Sequence, residues 1–142
     1  PLNNQFINPI MEIIRKKYIC KKQIKKGISG TKEILKCFKM GTSIALMIDQ
    51  RVSEGERIDF FGKEALTTTI PAQFVKKFRC KIVPVHIERG ENDKFRCKIL
   101  KPIDFARNEN LKKITADLNK VIEKMILKNP NQWIWTHNRW KI

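Results

Sequence analysis

The residues best suited to chemistry lie in one stretch, 44–77, which reads IALMIDQRVSEGERIDFFGKEALTTTIPAQFVKK. Its apolar start stops at Asp49-Gln50-Arg51. Side chains at the C-terminal end of a buried strand face the crevice where α/β proteins hold ligands. Arg51 is the candidate for binding a phosphate or a developing oxyanion, since a guanidinium offers fixed charge and a fork of donors. A solvated loop cation is the plainer alternative. Asp49 either holds Arg51 and the loop amides or simply opens a turn, with Gln50 continuing the polar cluster. Gly55 permits close backbone approach. Thr67, Thr68 and Thr69, ahead of Ile70-Pro71, put hydroxyls and free amides at a helix start, which binds an anion or caps itself. Phe60 and Phe61 either line an apolar groove or fill a core.

Other catalytic chemistry has little to draw on. His86 reads as a tolerated strand residue, and His137 as a structural one between Trp135 and Trp140. Ser29, Ser43 and Ser53 lie in no GxSxG elbow. The chain carries no P-loop, no GxGxxG and no acid/base carboxylate pair, so no cofactor is expected. Cys20, Cys37, Cys80 and Cys97 form no CxxC pair, which argues against a metal. They read as reduced thiols, mostly core fillers, in a cytosol-facing protein.

These side chains need elements to hold them. Asn8-Pro9 starts a helix over about 9–17, and Thr31 caps a second that Gly41 ends. The continuous apolar run 43–48 predicts a strand buried on both faces, and 81–87 (KIVPVHI) a second, kept near an edge by Pro84. A helix over 69–78 between them implies a parallel crossover. Gly90, Asn92 and Asp93 then turn the chain into an antiparallel strand at 95–99, with Phe95, Cys97 and Ile99 on one side. An apolar stripe of helical period from Leu111 to Ile126 predicts the last helix, ended by Asn129-Pro130. The expectation is a single α/β domain over 1–142: a mostly parallel sheet flanked by helices, with an antiparallel hairpin. The tail NQWIWTHNRWKI holds all three tryptophans. It reads as pinned to the core, with a membrane interface as the alternative.

With 42% hydrophobic and 31% charged residues the chain is of globular type. Its 30 Lys+Arg against 14 Asp+Glu give a net charge of +16, which favours anionic partners. The lysines spread over every element as they do on solvated faces. The exception is 15–26, RKKYICKKQIKK, seven basic residues with no acid between them. Such a run suits an anionic membrane surface or a lipid phosphate. A basic nucleic-acid-binding module, or a membrane-binding module without catalysis, is the rival reading. No recognition motif for nucleic acid appears, and none is expected as a partner.

Taken in order, these pieces resemble the late acyltransferases of bacterial lipid A biosynthesis, the lauroyl/myristoyl transferase family. The resemblance rests on PLNNQFIN at 1–8, Asp49-Gln50 at the strand end, Phe60-Phe61-Gly62 with the threonine run, Ile82-Val83-Pro84, Arg89, and WIWTHNRWK at 133–141. It implies a glycerolipid acyltransferase-like fold, here truncated at its N-terminus. It implies transfer of a fatty acyl group from an acyl carrier protein or coenzyme A thioester to a hydroxyl of a Kdo-bearing lipid A precursor, at the cytoplasmic face of the inner membrane. The family's catalytic His and acidic partner would lie upstream of Pro1, leaving no catalytic residue on this chain and an inactive fragment in isolation. Asp49, Gln50, Arg51, Gly55, Thr67, Thr68 and Arg89 are the residues expected to bind substrate.

Overall fold

The computed structural model describes residues 4–24 and 28–141, which form four α-helices, two β-hairpins and a 3-10 turn. They fall into two compact units, Pro1–Ala45 and Leu46–Ile142.

The first unit holds α1 (Ile7–Tyr18) and α2 (Ile28–Lys39). α1 begins earlier than Asn8-Pro9 suggests, because Asn4 does the capping: its Oδ1 accepts from the amides of Phe6 (2.9 Å) and Ile7 (3.1 Å). Pro9 comes just past the first helical bond, Asn8 N to Asn4 O at 3.0 Å, so its missing N–H omits a single bond near the helix start. α2 ends as its glycine predicts. Gly41 takes φ +81°, its amide bonds Phe38 O at 2.9 Å and Thr42 N bonds Cys37 O at 3.1 Å. That is the paired closure of a Schellman turn.

The second unit is built on α4 (Leu111–Lys128), capped by Asn110, whose side chain accepts from Lys113 N at 2.7 Å. Its buried stripe serves two clusters. Ile114 and Leu118 pack with Ala72 and Val75 of α3 (Ile70–Phe78); Ile122 and Ile126 pack with Phe60 and Ala65. Those last two lie on the hairpin of β1 (Glu56–Phe60) and β2 (Lys63–Thr67). Phe61 and Gly62 close this hairpin at φ +53° and +74°, the two left-handed residues of a type I′ turn. Ile58, Phe60, Ala65 and Thr67 point inward, while Arg57, Asp59 and Glu64 point out. A second hairpin pairs β3 (Val85–Arg89) with β4 (Phe95–Ile99), turning through Asn92 and Asp93.

Three expectations need correction. First, both described sheets are two-stranded and antiparallel, and the parallel pair of 43–48 with 81–87 is not formed. Residues 43–48 make no strand: Met47 is 84% exposed, Ile44 and Ile48 are half-buried, and Ile48 touches both clusters. A parallel strand needs a neighbour with a free edge, and here residues 56–67, which follow in the chain, pair with each other as a hairpin. Second, the alternation in β4 is inverted. Phe95 and Ile99 are 62% and 74% exposed, whereas the opposite face shelters Lys98, Glu88 and His86. Lys98 Nζ lies 2.6 Å from Glu88, whose other oxygen is 3.6 Å from His86 Nδ1. Third, of the four free cysteines only Cys37 is buried, with Cys80 half-buried and Cys20 and Cys97 exposed.

The bond from Lys98 holds the Glu88 carboxyl below its ordinary value. A carboxyl depressed on folding stabilises the fold above its unfolded value, about 4.3, and that contribution is lost as pH falls through the folded one. The protection of amides in 85–99 against exchange, relative to unstructured chain at the same pH, should therefore fall below about pH 4. In Lys98→Met the same amides should already exchange faster at neutral pH and respond less to acid. Identical pH profiles for the two proteins would show that the ion pair does not hold the hairpin.

Candidate functional site

Asp49, Arg51, Gly55 and Thr67 gather where the 49–55 loop, the β1–β2 hairpin and the C-terminal segment meet. After α4 the chain makes a 3-10 turn (Pro130–Gln132), and its tryptophans then fold back onto the hairpin. Each indole N–H finds an acceptor, as a docked tryptophan requires. Trp133 donates to Asp49 Oδ2 (3.3 Å), Trp135 to Pro130 O (2.8 Å) and Trp140 to Phe60 O (2.9 Å). The rings stack around Phe60, whose centroid is 4.9 Å from Phe61, 5.8 Å from Trp140 and 5.9 Å from Trp133. Phe60 is thus core. Trp133, Arg139 and Trp140 pin the tail to the hairpin, while Ile134 and Trp135 stay exposed, at 69% and 47%.

Arg139 lies under these rings with no exposed surface. Its guanidinium donates from Nη1 to Leu66 O and from Nη2 to Thr67 Oγ1 at 2.9 Å, and sits 5.2 Å from the Phe60 ring centroid. Burial pulls its pKa below the ordinary value, and the charge of Asp49 works against that fall. Thr67 is saturated. Its hydroxyl donates to Ala65 O (3.0 Å) and accepts from Arg139 and from Asn119 Nδ2 (3.4 Å), using its one proton and both lone pairs. Asn119 also donates to Asp59 O at 2.7 Å, tying α4 to the same hairpin.

The other expected residues are placed as follows. Arg51 is half-buried and donates from Nε to Lys141 O at 2.7 Å, a bond that leaves the terminal fork of its guanidinium out of it. Gln50 is exposed. At Gly55 a Cβ would stand 2.7 Å from Thr67 N, from Thr67 O and from a methyl of Val52. The close approach expected of this glycine is therefore to β2. Thr68 accepts from Ile70 N at 3.4 Å, and Thr69 from Gln73 Nε2 at 2.9 Å, so these hydroxyls serve the start of α3. Arg89 stands apart on β3. Its N donates to Gln132 Oε1 (2.8 Å), its O accepts from Gln132 Nε2 (2.7 Å), and its guanidinium covers Phe95 at 5.3 Å. A depression of about 390 Å³ beside this region is lined by Phe61, Lys63, Asn138 and Trp140.

One feature escapes a reading of the sequence, and one spacing that the sequence does hold goes unused. Arg139 looks like one more tail cation, although its place between aromatic residues is the signal of a guanidinium stacked in a core. His86 and Glu91 also stand in a His-xxxx-Glu spacing. The structure puts His86 on β3 and Glu91 in the turn region beyond it, and His86 Nδ1 is buried without a hydrogen-bond partner. The acid that faces it, Glu88, is already held by Lys98. Among the described residues no group of three His, Cys, Asp or Glu is arranged to hold a metal.

Over residues 1–142 the chain matches the family model described as bacterial lipid A biosynthesis acyltransferase. No curated protein matches it.

Removing the Arg139 charge strands a buried carbonyl and unbalances Thr67 and Asp49. Arg139→Met should lower stability by about 3 kcal/mol in urea unfolding. Arg139→Lys should recover part of that through one remaining donor. Midpoints equal to that of the parent would remove Arg139 from its central place.

Proposed function

Since the chain belongs to the bacterial lipid A biosynthesis acyltransferase family, we propose that it serves transfer of a fatty acyl group to a lipid A precursor. The donor in this reading is an acyl carrier protein or coenzyme A thioester, and the acceptor a hydroxyl of a Kdo-bearing precursor. The match running unbroken across both units carries the proposal, and supports taking residues 1–142 as part of one acyltransferase domain. The reaction belongs beside the lipid it modifies, at the cytoplasmic face of the inner membrane, with an anionic membrane surface as a further partner. Among the described residues no helix is long and apolar enough to cross a membrane.

In such a transfer a general base takes the acceptor proton, and the hydroxyl oxygen adds to the thioester carbonyl. Donors hold the resulting oxyanion, and the thiolate leaves and takes up a proton. We assign substrate binding to Asp49, Gln50, Arg51, Gly55, Thr67, Thr68 and Arg89, in unequal roles. Arg51, with its fork outside the bond to Lys141, and Arg89 supply charge for phosphate or carbonyl oxygens. Gln50, exposed between Asp49 and Arg51, adds an amide that both donates and accepts. Asp49 is oriented by Trp133, whereas Thr67 and Gly55 set the loop against the hairpin, and Thr68 holds the start of α3. The base is assigned to none of the described residues: His86 faces a carboxylate that Lys98 neutralises, and His137 is an exposed tail residue.

In protein that transfers acyl groups from a carrier-protein thioester, Arg51→Ala should reduce kcat/KM roughly tenfold or more, the loss expected for one charge-assisted contact. Its thermal unfolding should stay near that of the parent. Unchanged kinetics with alanine at both 49 and 51 would make the loop ordinary surface. The 142-residue chain alone should not turn over such thioesters. Turnover abolished by His86→Ala or His137→Ala would instead place the base on it.

A further inference from the structure

A water-soluble amphipathic helix ordinarily hides its apolar stripe, and α1 does not. None of its residues is buried. Ile7, Ile10, Ile13, Ile14 and Tyr18 recur at helical spacing, and all are exposed, Ile13 at 66%. Phe6, just before the helix, is 88% exposed and extends the stripe. At about 1.5 Å per residue a helix of this length is far too short to span a bilayer. It has the size and pattern of one that lies in the surface.

Charge says what the stripe would meet. Arg15, Lys16 and Lys17 fill the last turn, and Lys21 and Lys22 follow. The one acid of the helix, Glu12, is engaged by Asn8 at 3.1 Å, and Lys22 pairs with Glu33 at 3.3 Å. Lys17 Nζ lies 5.0 Å from the Tyr18 ring centroid, so its stem runs along the apolar side with the ammonium at the edge. A protein groove would have to supply both an apolar floor and several carboxylates at one end. A bilayer of anionic lipid offers hydrocarbon beneath a layer of phosphate at the matching depth.

We propose that α1 is an in-plane membrane helix, its isoleucine stripe in the acyl boundary of an anionic leaflet and its C-terminal cations among the lipid phosphates. The proposal deepens the membrane reading given above, and it is tested without any acyl transfer, so failure of the catalytic reading leaves it standing.

The 142-residue chain would be sedimented with vesicles of phosphatidylcholine alone and of equal parts phosphatidylcholine and phosphatidylglycerol. Binding should require phosphatidylglycerol, and Lys16→Gln and Lys17→Gln should each weaken it about fivefold. Ile10→Glu with Ile13→Glu should weaken it more than tenfold. Ser53→Glu with Asn108→Glu adds the same charge at exposed sites elsewhere and should cost far less. Equal losses in the two double variants would reduce the effect to net charge and overturn the helix. Equal binding to both vesicle types would overturn the headgroup contact. Lack of vesicle binding, with a self-association that the isoleucine variant abolishes, would give the stripe to a second copy instead.

Discussion

A fully buried guanidinium sets the constraint around which the larger unit is arranged. An arginine cannot shed its charge, so taking Arg139 out of water is tolerable only where acceptors stand ready. They are the Leu66 carbonyl and the Thr67 hydroxyl, with the Phe60 ring alongside and the charge of Asp49 opposing the cost of burial. Each of these partners then has its own place fixed. Thr67 must be inward on β2, which sets the register with β1. Asp49 must open its loop near Trp133, and the chain must return after α4 to bring Arg139 back. The tail is thereby a structural part of the hairpin sheet.

The same constraint bears on the loop that carries the candidate binding residues. Arg51 is tied to the Lys141 carbonyl, two residues beyond Arg139, and Gly55 lies against Thr67, Arg139's acceptor. The geometry of 49–55 is thus inherited from the buried network. An anion arriving at Arg51 would meet a guanidinium already oriented through Nε. Pre-orientation of this kind lowers the entropy spent on each new hydrogen bond.

What the sequence disclosed follows from how local each signal is. The stripe of α4, the start of α3 at Thr69-Ile70-Pro71 and the stop at Gly41 are set by neighbours a few residues away, and they stand where periodicity and caps put them. The β1–β2 hairpin was written as plainly, in alternation on both sides of Phe61-Gly62. Phe-Gly is not the usual Asn-Gly signal, and Glu123 of α4, accepting from Phe61 N at 2.8 Å, helps hold that residue in the turn. The apolar run at 43–48 misled because continuity shows only that a segment is hydrophobic. Whether it pairs depends on strand edges elsewhere. Arg139 and Asn119 were hidden for a like reason: their acceptors lie about seventy and sixty residues away in sequence. For the candidate site, residue types were legible, while the division between Arg51 and the buried Thr67 was not.

Gln132 has a consequence beyond placing Arg89. Narrow pairing at Gly90–Lys94 and Leu100–Pro84 alternates with wide positions, so the amide and carbonyl of Arg89 point away from β4. An open strand edge of this kind invites another chain to add itself by backbone hydrogen bonds, the first step of ordered aggregation. The side-chain amide of Gln132 takes both groups at once and imitates one rung of an added strand. A single glutamine therefore ends the template at Arg89. In a hairpin whose apolar face is uncovered, that plug is a molecular guard on colloidal solubility.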